Sequence, residues 1–119
     1  MFNGAELEKL LSEYALELGG EESRTLNPKN KHKSLRVFKS ASETGDESRI
    51  FLIIHENSDP LVIDFFVHPE IQKKMIEQYE TASRSNLIDK KRAVQLVLTN
   101  QFQVEDLKSF ILQSLNANE

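Results

Sequence analysis

The chain has 119 residues, 39% of them hydrophobic and 29% charged, with a formal net charge of −4 and no cysteine. That is the size and mix of one soluble globular domain able to bury a core without staples, and it excludes disulfides, thiolate metal sites and a thiol nucleophile. The longest purely apolar run, Ile50–Ile54, is five residues, far too short to span a membrane.

The N-terminus is charged and lacks a signal-type apolar run, which with the missing cysteine points to the cytoplasm. Charge is segregated along the chain. Residues 24–39 hold six bases and no acid, and residues 71–92 hold six bases against three acids. The intervening segment and both termini are net acidic. Such blocking builds a positive face if folding unites the two basic segments.

Asn3 is a natural N-cap with Glu6 three residues on, and Leu7, Leu10, Leu11, Tyr14 and Leu18 recur at helical spacing. They predict a helix over 4–18, closed by Gly19-Gly20. Residues 19–33 are polar, contain Pro28 and read as a loop. In "SLRVFKS", Leu35 and Val37 alternate with Arg36 and Phe38, as in a strand. "ASETGDES" reads as a turn or mobile loop. "RIFLIIHE" is β-branched and aromatic, the mark of a central strand with both faces partly covered.

"NSDP" is a tight turn leading into "LVIDFFV". There Leu61, Ile63, Phe65 and Val67 point one way and Val62, Asp64 and Phe66 the other. The two strands form an antiparallel hairpin. In "HPEIQKKMIEQYE", His68 caps, Pro69 opens and Glu70 favours a helix whose apolar face is Ile71, Met75, Ile76 and Tyr79. "TASRSNLIDK" reads as a loop. "KRAVQLVLT" is the fourth strand, with Val94, Leu96 and Leu98 inward and Gln95 outward. "QFQVEDLKSFILQSL" is the closing helix, with Val104, Leu107, Ile111 and Leu115 inward. The order α-β-β-β-α-β-α predicts a single α+β domain over 1–119. It is a two-layer sandwich with a mostly antiparallel four-stranded sheet and three helices.

Chemistry is sparse. No serine sits in a G-x-S-x-G or S-x-x-K pattern, so covalent catalysis has no evident agent and the chain reads as non-enzymatic, with no cofactor. His32, His55 and His68 show no ligand spacing on one helix. His55, Glu56, Asp59, Asp64 and Glu70 read as a solvated surface, a strand end and helix-start residues rather than a metal site. Asp64 within "VIDFFV" is the oddest polar residue, expected to be solvated or paired with Arg36 or Lys39. No glycine-rich phosphate loop is present.

The basic segments carry more. Lys29, Lys31, Lys33, Arg36 and Lys39 line one stretch, and Arg84, Lys90, Lys91 and Arg92 the other. Lysines on an edge strand also guard against aggregation, so a solvated edge is the plainer reading of the same residues.

The segment "LVIDFFVHPEIQKKMIEQYE…SNLIDKKRAVQLVLTNQFQVEDLKSFILQSL" resembles the MmcQ/YjbR-like family of small bacterial cytoplasmic proteins. That family runs strand, short helix, loop, Lys-containing strand and closing helix with a Ser near its end. Lys90, Lys91 and Ser114 fall at those places. The chain departs at Ala93, in the neighbourhood where the family usually has a Trp after its Lys pair, and lacks the preceding Pro-Gly. The resemblance implies the double-wing α+β fold, shared with frataxin-like proteins, and suggests nucleic-acid binding.

The leading expectation is therefore an interaction domain that grips nucleic acid or another polyanion. Lys31, Lys33, Arg36, Lys90, Lys91 and Arg92 would serve as phosphate-neutralising cations, not base readers. A second expectation is a protein-binding or homodimerising module that uses an apolar sheet face with Phe38, Phe51 or Phe66. A third is a frataxin-like metal carrier using Glu6, Glu13 and Glu17. No membrane partner is expected.

Overall fold

A computed structural model describes residues 3–40, 49–88, 91–99 and 102–116. The 41–48 turn expected above lies outside them. The chain folds into α1 (Gly4–Glu17), β1 (Glu21–Asn27), β2 (Asn30–Lys39), β3 (Ile50–His55), β4 (Val62–Phe66), α2 (Pro69–Gln78), β5 (Ala82–Arg84), β6 (Ala93–Val97) and α3 (Val104–Asn116).

The first helix has the ends its sequence specifies. Asn3 Oδ1 accepts from the Glu6 N–H at 2.8 Å, satisfying one of the donors that a helix start leaves free. At the other end, Gly20 N–H donates to Ala15 C=O and Gly19 N–H to Leu16 C=O, each at 3.0 Å. This is a Schellman motif, and it needs the positive φ of 90° found at Gly19. Gly20 is required for a different reason: a Cβ there would lie 2.8 Å from Ala15 O and 2.8 Å from Phe51 Cζ.

The sheet has six strands in the order β1-β2-β3-β4-β6-β5, antiparallel at every pairing. This corrects the expected four-stranded sheet and its α-β-β-β-α-β-α order; the α+β class and the three helices agree. Two strands were invisible for distinct physical reasons. β1, "EESRTLN", is an edge strand whose first six side chains are all exposed, so no apolar period marks it. Backbone pairing with β2 holds it. The two-residue turn at Pro28-Lys29 is fixed by Asn27 Oδ1, which accepts from Lys29 N–H at 2.9 Å. β5 has three residues and pairs only with β6, too short to show alternation.

All three helices cover one face. Leu11, Ala15, Met75, Leu107 and Ile111 pack with Phe38, Leu52, Ile54, Ile63, Phe65, Val94 and Leu96 in the main core. Full burial of a Phe such as Phe38 or Phe65 stabilises by about 1.5–3 kcal/mol. An irregularity at Phe38/Lys39 in the β2–β3 register accompanies the entry of Phe51 as well as Leu52 into this core. The expected apolar stripe of α2 is altered: Ile71 is exposed, and Gln72 is buried because its Nε2 donates to Ala93 C=O at 2.8 Å.

The opposite face carries a smaller cluster, Leu35, Val37 and Ile53, only 2–5% exposed. Ile50, Leu87 and Ile88 pack against it. No helix lies there among the described residues. The segment following β5 crosses the face instead and forms one wall of the site described next.

Candidate functional site

Asp64 anchors the site. β4 sends Ile63 and Phe65 into the helix-side core, so Asp64 emerges on the other face, between Ile53 of β3 and Gln95 of β6. It is 0% exposed. Ser85 Oγ donates to its Oδ2 at 2.5 Å, His55 Nε2 lies 2.7 Å from its Oδ1, and Gln95 Nε2 approaches Oδ2 at 3.4 Å. Taking a carboxylate out of water is costly, and such charge-assisted bonds offset the cost. The expected pairing with Arg36 or Lys39 does not form. Arg36 faces α1 on the far side of the sheet, and alternation decides that.

The donors are themselves positioned. Ser85 N–H donates to Ala93 C=O at 3.0 Å, and Ser85 Oγ accepts from Leu87 N–H at 3.3 Å. Ser85 thus ends β5 and starts the segment that carries Leu87 and Ile88 across the sheet. His55 closes β3 opposite Leu35, with its side chain 17% exposed. The geometry requires a proton on Nε2, which leaves Nδ1 for another partner.

Above this network lies a pocket of about 240 Å³ lined by Asn27, Lys29, His55, Arg84, Asn86, Leu87 and Gln95. Lys29 comes from the β1–β2 turn and Arg84 from the end of β5. One residue from each basic segment of the sequence therefore borders the same concavity. Asn27, Asn86, Gln95 and His55 complete the lining, while the β5–β6 register pairs Arg84 with Val94 and so turns its side chain toward the helix-side face. Among the described residues the lining holds no carboxylate; the nearest acid in the network, Asp64, is buried and hydrogen-bonded.

The six cations expected from the sequence are distributed differently. Lys31 and Lys33 are exposed on the outer end of β2, where the register jumps from Leu26↔Ser34 to Asn27↔Asn30 and leaves residues 31–33 without partners on β1. They share the hairpin tip with Lys29. Arg36 is held between helix and edge strand, 2.7 Å from Glu22 Oε1 and 3.3 Å from Glu8 Oε2. Its hydrogen bond to the Glu22 carboxylate raises its pKa above the ordinary arginine value, against the opposing effect of burial. Lys91 and Arg92 precede β6 at the Phe66 end of the sheet, the end away from His55. Lys90 lies outside the described residues. Near Arg92, Arg49 Nη2 donates to Ser114 C=O and Leu115 C=O, both at 3.0 Å, and its guanidinium stands 5.0 Å from the Phe66 ring centroid. Burial, with the neighbouring charge of Arg92, lowers the Arg49 pKa.

Ser114, matched above to the Ser near the end of the family's closing helix, is buried at 0% exposure. Its Oγ donates to Phe51 C=O at 2.6 Å and accepts from Phe66 N–H at 2.8 Å. The β3–β4 ladder stops at Leu52↔Phe65, and this hydroxyl links the strands where it stops. Phe38 and Phe51, expected as partner contacts, are fully buried in the main core, and Phe66 is half-buried beneath Arg49. Glu6, Glu13 and Glu17 are exposed on α1. Among the described residues, no group of three or more His, Cys, Asp or Glu is arranged to hold a metal ion, and no helix is long and apolar enough to cross a membrane.

The site was partly legible. Lys29 and Arg84 stood in the two basic segments, and Asp64 stood out as the one acid in an apolar strand. Ser85 and Gln95 gave no signal, because their role depends on β5 pairing with β6.

An antiparallel sheet with helices on one face is a known arrangement of the backbone. The fold is similar to the crystal structure of Deinococcus radiodurans protein DR2400, family-model domain DUF419, with a TM-score of 0.71. The match covers 90% of this chain and 74% of that chain at 20% identity, a level that shows the fold alone. DUF419 falls in the MmcQ/YjbR-like group. No family model and no curated protein matches the chain.

Proposed function

We propose that this chain is a cytoplasmic, non-enzymatic member of the MmcQ/YjbR-like group that binds the phosphate backbone of nucleic acid. Lys29, Lys31 and Lys33 are its anchoring cations. The observation that carries this reading is the grouping of these three exposed lysines on the β1–β2 hairpin tip, where residues 31–33 have no partner on β1. Cations within a Debye length, about 8 Å at physiological salt, act on a phosphate together rather than singly.

The contacts are of the positioning kind. Lysines on a hairpin tip supply charge and N–H donors to phosphate oxygens but are not carried into a groove to read bases. Arg36 adds little, since Glu8 and Glu22 already balance it. The net charge of −4 keeps the attraction local to the hairpin tip and pocket.

Fluorescence anisotropy with a labelled single-stranded oligonucleotide tests the reading across about 50–200 mM salt. Counterion release gives a log–log slope near −0.7 per neutralised phosphate for single strands, so up to three contacts predict a slope of about −2. Absence of binding at about 50 mM salt removes the proposal.

A further inference from the structure

We infer that the pocket bordered by His55 and Gln95 takes one unstacked base of the bound strand, and that its hydrogen-bonding groups select guanine. This inference rests on the nucleic-acid reading above and deepens it, by naming the part of the strand that the sheet face reads.

Position is the first support. Alternation along β2 puts Lys31 and Lys33 on the same side of the sheet as Leu35, the side away from the helices. His55 stands opposite Leu35 on β3 and shares that side. Lys29, at the hairpin turn, lines the pocket itself. A strand whose phosphates lie on these lysines passes the mouth of the pocket, and a base turned out of the stack reaches it. Single strands are read through bases splayed out in this way.

The direction of the hydrogen bonds is the second. Asp64, as a carboxylate, only accepts. His55 therefore turns an N–H toward it through Nε2, at 2.7 Å, and Gln95 turns its amide Nε2, at 3.4 Å. The groups these two side chains have left are the imidazole Nδ1 and the amide Oε1, both acceptors in the neutral forms. Asn27 has the opposite bias. Its Oδ1 already accepts from Lys29 N–H at 2.9 Å, which leaves the NH2 group as its donor. Two acceptors beside a donor complement the Watson–Crick edge of guanine, where N1–H and the N2 amino group donate and O6 accepts. Each other base offers one donor group on that edge. A phosphate, which accepts, is poorly served by the same two acceptors.

Size and support agree. At about 240 Å³ the pocket is smaller than the roughly 300–1,000 Å³ of sites that enclose a drug-sized ligand. It suits one base, with sugar and phosphate outside on the hairpin tip. Leu87 gives the base an apolar wall, held by its own packing on the Leu35, Val37 and Ile53 cluster and by its N–H bond to Ser85 Oγ. Asp64 is a positioning residue here, acting through His55 and Gln95.

Fluorescence anisotropy at about 50 mM salt compares three labelled strands. One is thymidine throughout, one carries a single central guanine, and one carries hypoxanthine there, which lacks only the N2 amino group. The wild type should bind the guanine strand about fivefold or more tighter than the thymidine strand, with hypoxanthine between them. Gln95→Met and Asp64→Asn, each confirmed as folded by circular dichroism, should lose most of that ratio. Lys31→Ala/Lys33→Ala should weaken all three strands alike and keep it. Equal affinity for the three strands overturns the inference and leaves the nucleic-acid reading standing. A hypoxanthine strand bound as tightly as guanine overturns the choice of guanine. A preference unchanged in Gln95→Met overturns the assignment to this pocket. Failure of every strand to bind overturns both proposals. Guanosine monophosphate added at equimolar concentration separates the two sources of such a base. Retention of the strand supports a strand base, and displacement makes a free nucleotide the ligand and overturns the strand assignment.

Discussion

Replacing Ser114 by Ala removes a single oxygen, yet it strands two backbone groups. Ser114 Oγ donates to Phe51 C=O at 2.6 Å and accepts from Phe66 N–H at 2.8 Å, and the residue is completely buried. The methyl group of alanine does neither. A buried backbone group left unpaired costs about 1–3 kcal/mol, so the two together predict a loss of about 2–6 kcal/mol. Small domains are stable by only about 5–15 kcal/mol, so this is a large share. The bonds from Arg49 to the Ser114 and Leu115 carbonyls use the main chain and survive the change.

Urea unfolding followed by circular dichroism measures the effect. The midpoint should fall with the slope unchanged, since the surface exposed on unfolding is the same. Ser109→Ala is the internal control. Ser109 lies on the exposed side of the same helix and accepts only from Gln113 Nε2 at 3.0 Å, so its loss should change stability by under about 0.5 kcal/mol. If Ser114→Ala is as mild as the control, the hydroxyl is not the link between β3, β4 and α3, and the reasoning fails.

Other variants probe the remaining joints of the structure. Asp64→Ala removes the acceptor shared by His55, Ser85 and Gln95. It should lower stability by about 1–3 kcal/mol and increase the mobility of the His55 ring, seen as broadened imidazole resonances; an unchanged ring spectrum would show that Asp64 does not position it. Arg36→Met leaves Glu8 and Glu22 facing each other across α1 and β1. It should cost about 1–2 kcal/mol in urea unfolding while leaving oligonucleotide affinity within twofold, whereas a tenfold affinity loss would make Arg36 a phosphate contact after all. Gly20→Ala drives a Cβ against Ala15 O and the Phe51 ring and should destabilise by about 1–3 kcal/mol, with a neutral melting curve counting against the close packing described there.

How far the sequence foretold this structure depends on where each element buries its side chains. α1, β3, β4 and α3 each have an apolar period, a cap or a turn that local chemistry dictates, and they appear where that chemistry places them. β1 presents six exposed side chains in succession and owes its conformation to hydrogen bonds with β2, which no local pattern records. The same limit governs the site. Asp64 was conspicuous, but its partner could not be chosen among His55, Arg36 and Lys39 without the register between β2, β3 and β4. Charge segregation was legible, and so was its potential to concentrate charge. Which cations meet was settled by topology. Arg36 turns toward Glu8 and Glu22 and Lys91 and Arg92 sit at the other sheet end, while Lys29, Lys31 and Lys33 share the hairpin tip.

The most direct test of the hairpin tip as an anion site is a nitrogen–proton correlation spectrum of the labelled chain, titrated with a short oligonucleotide. The account predicts that resonances of Lys29, Asn30, Lys31, His32 and Lys33 move first and furthest. Shifts centred instead on Lys73 and Lys74 of α2, or on Lys91 and Arg92 beyond the opposite end of the sheet, would contradict it.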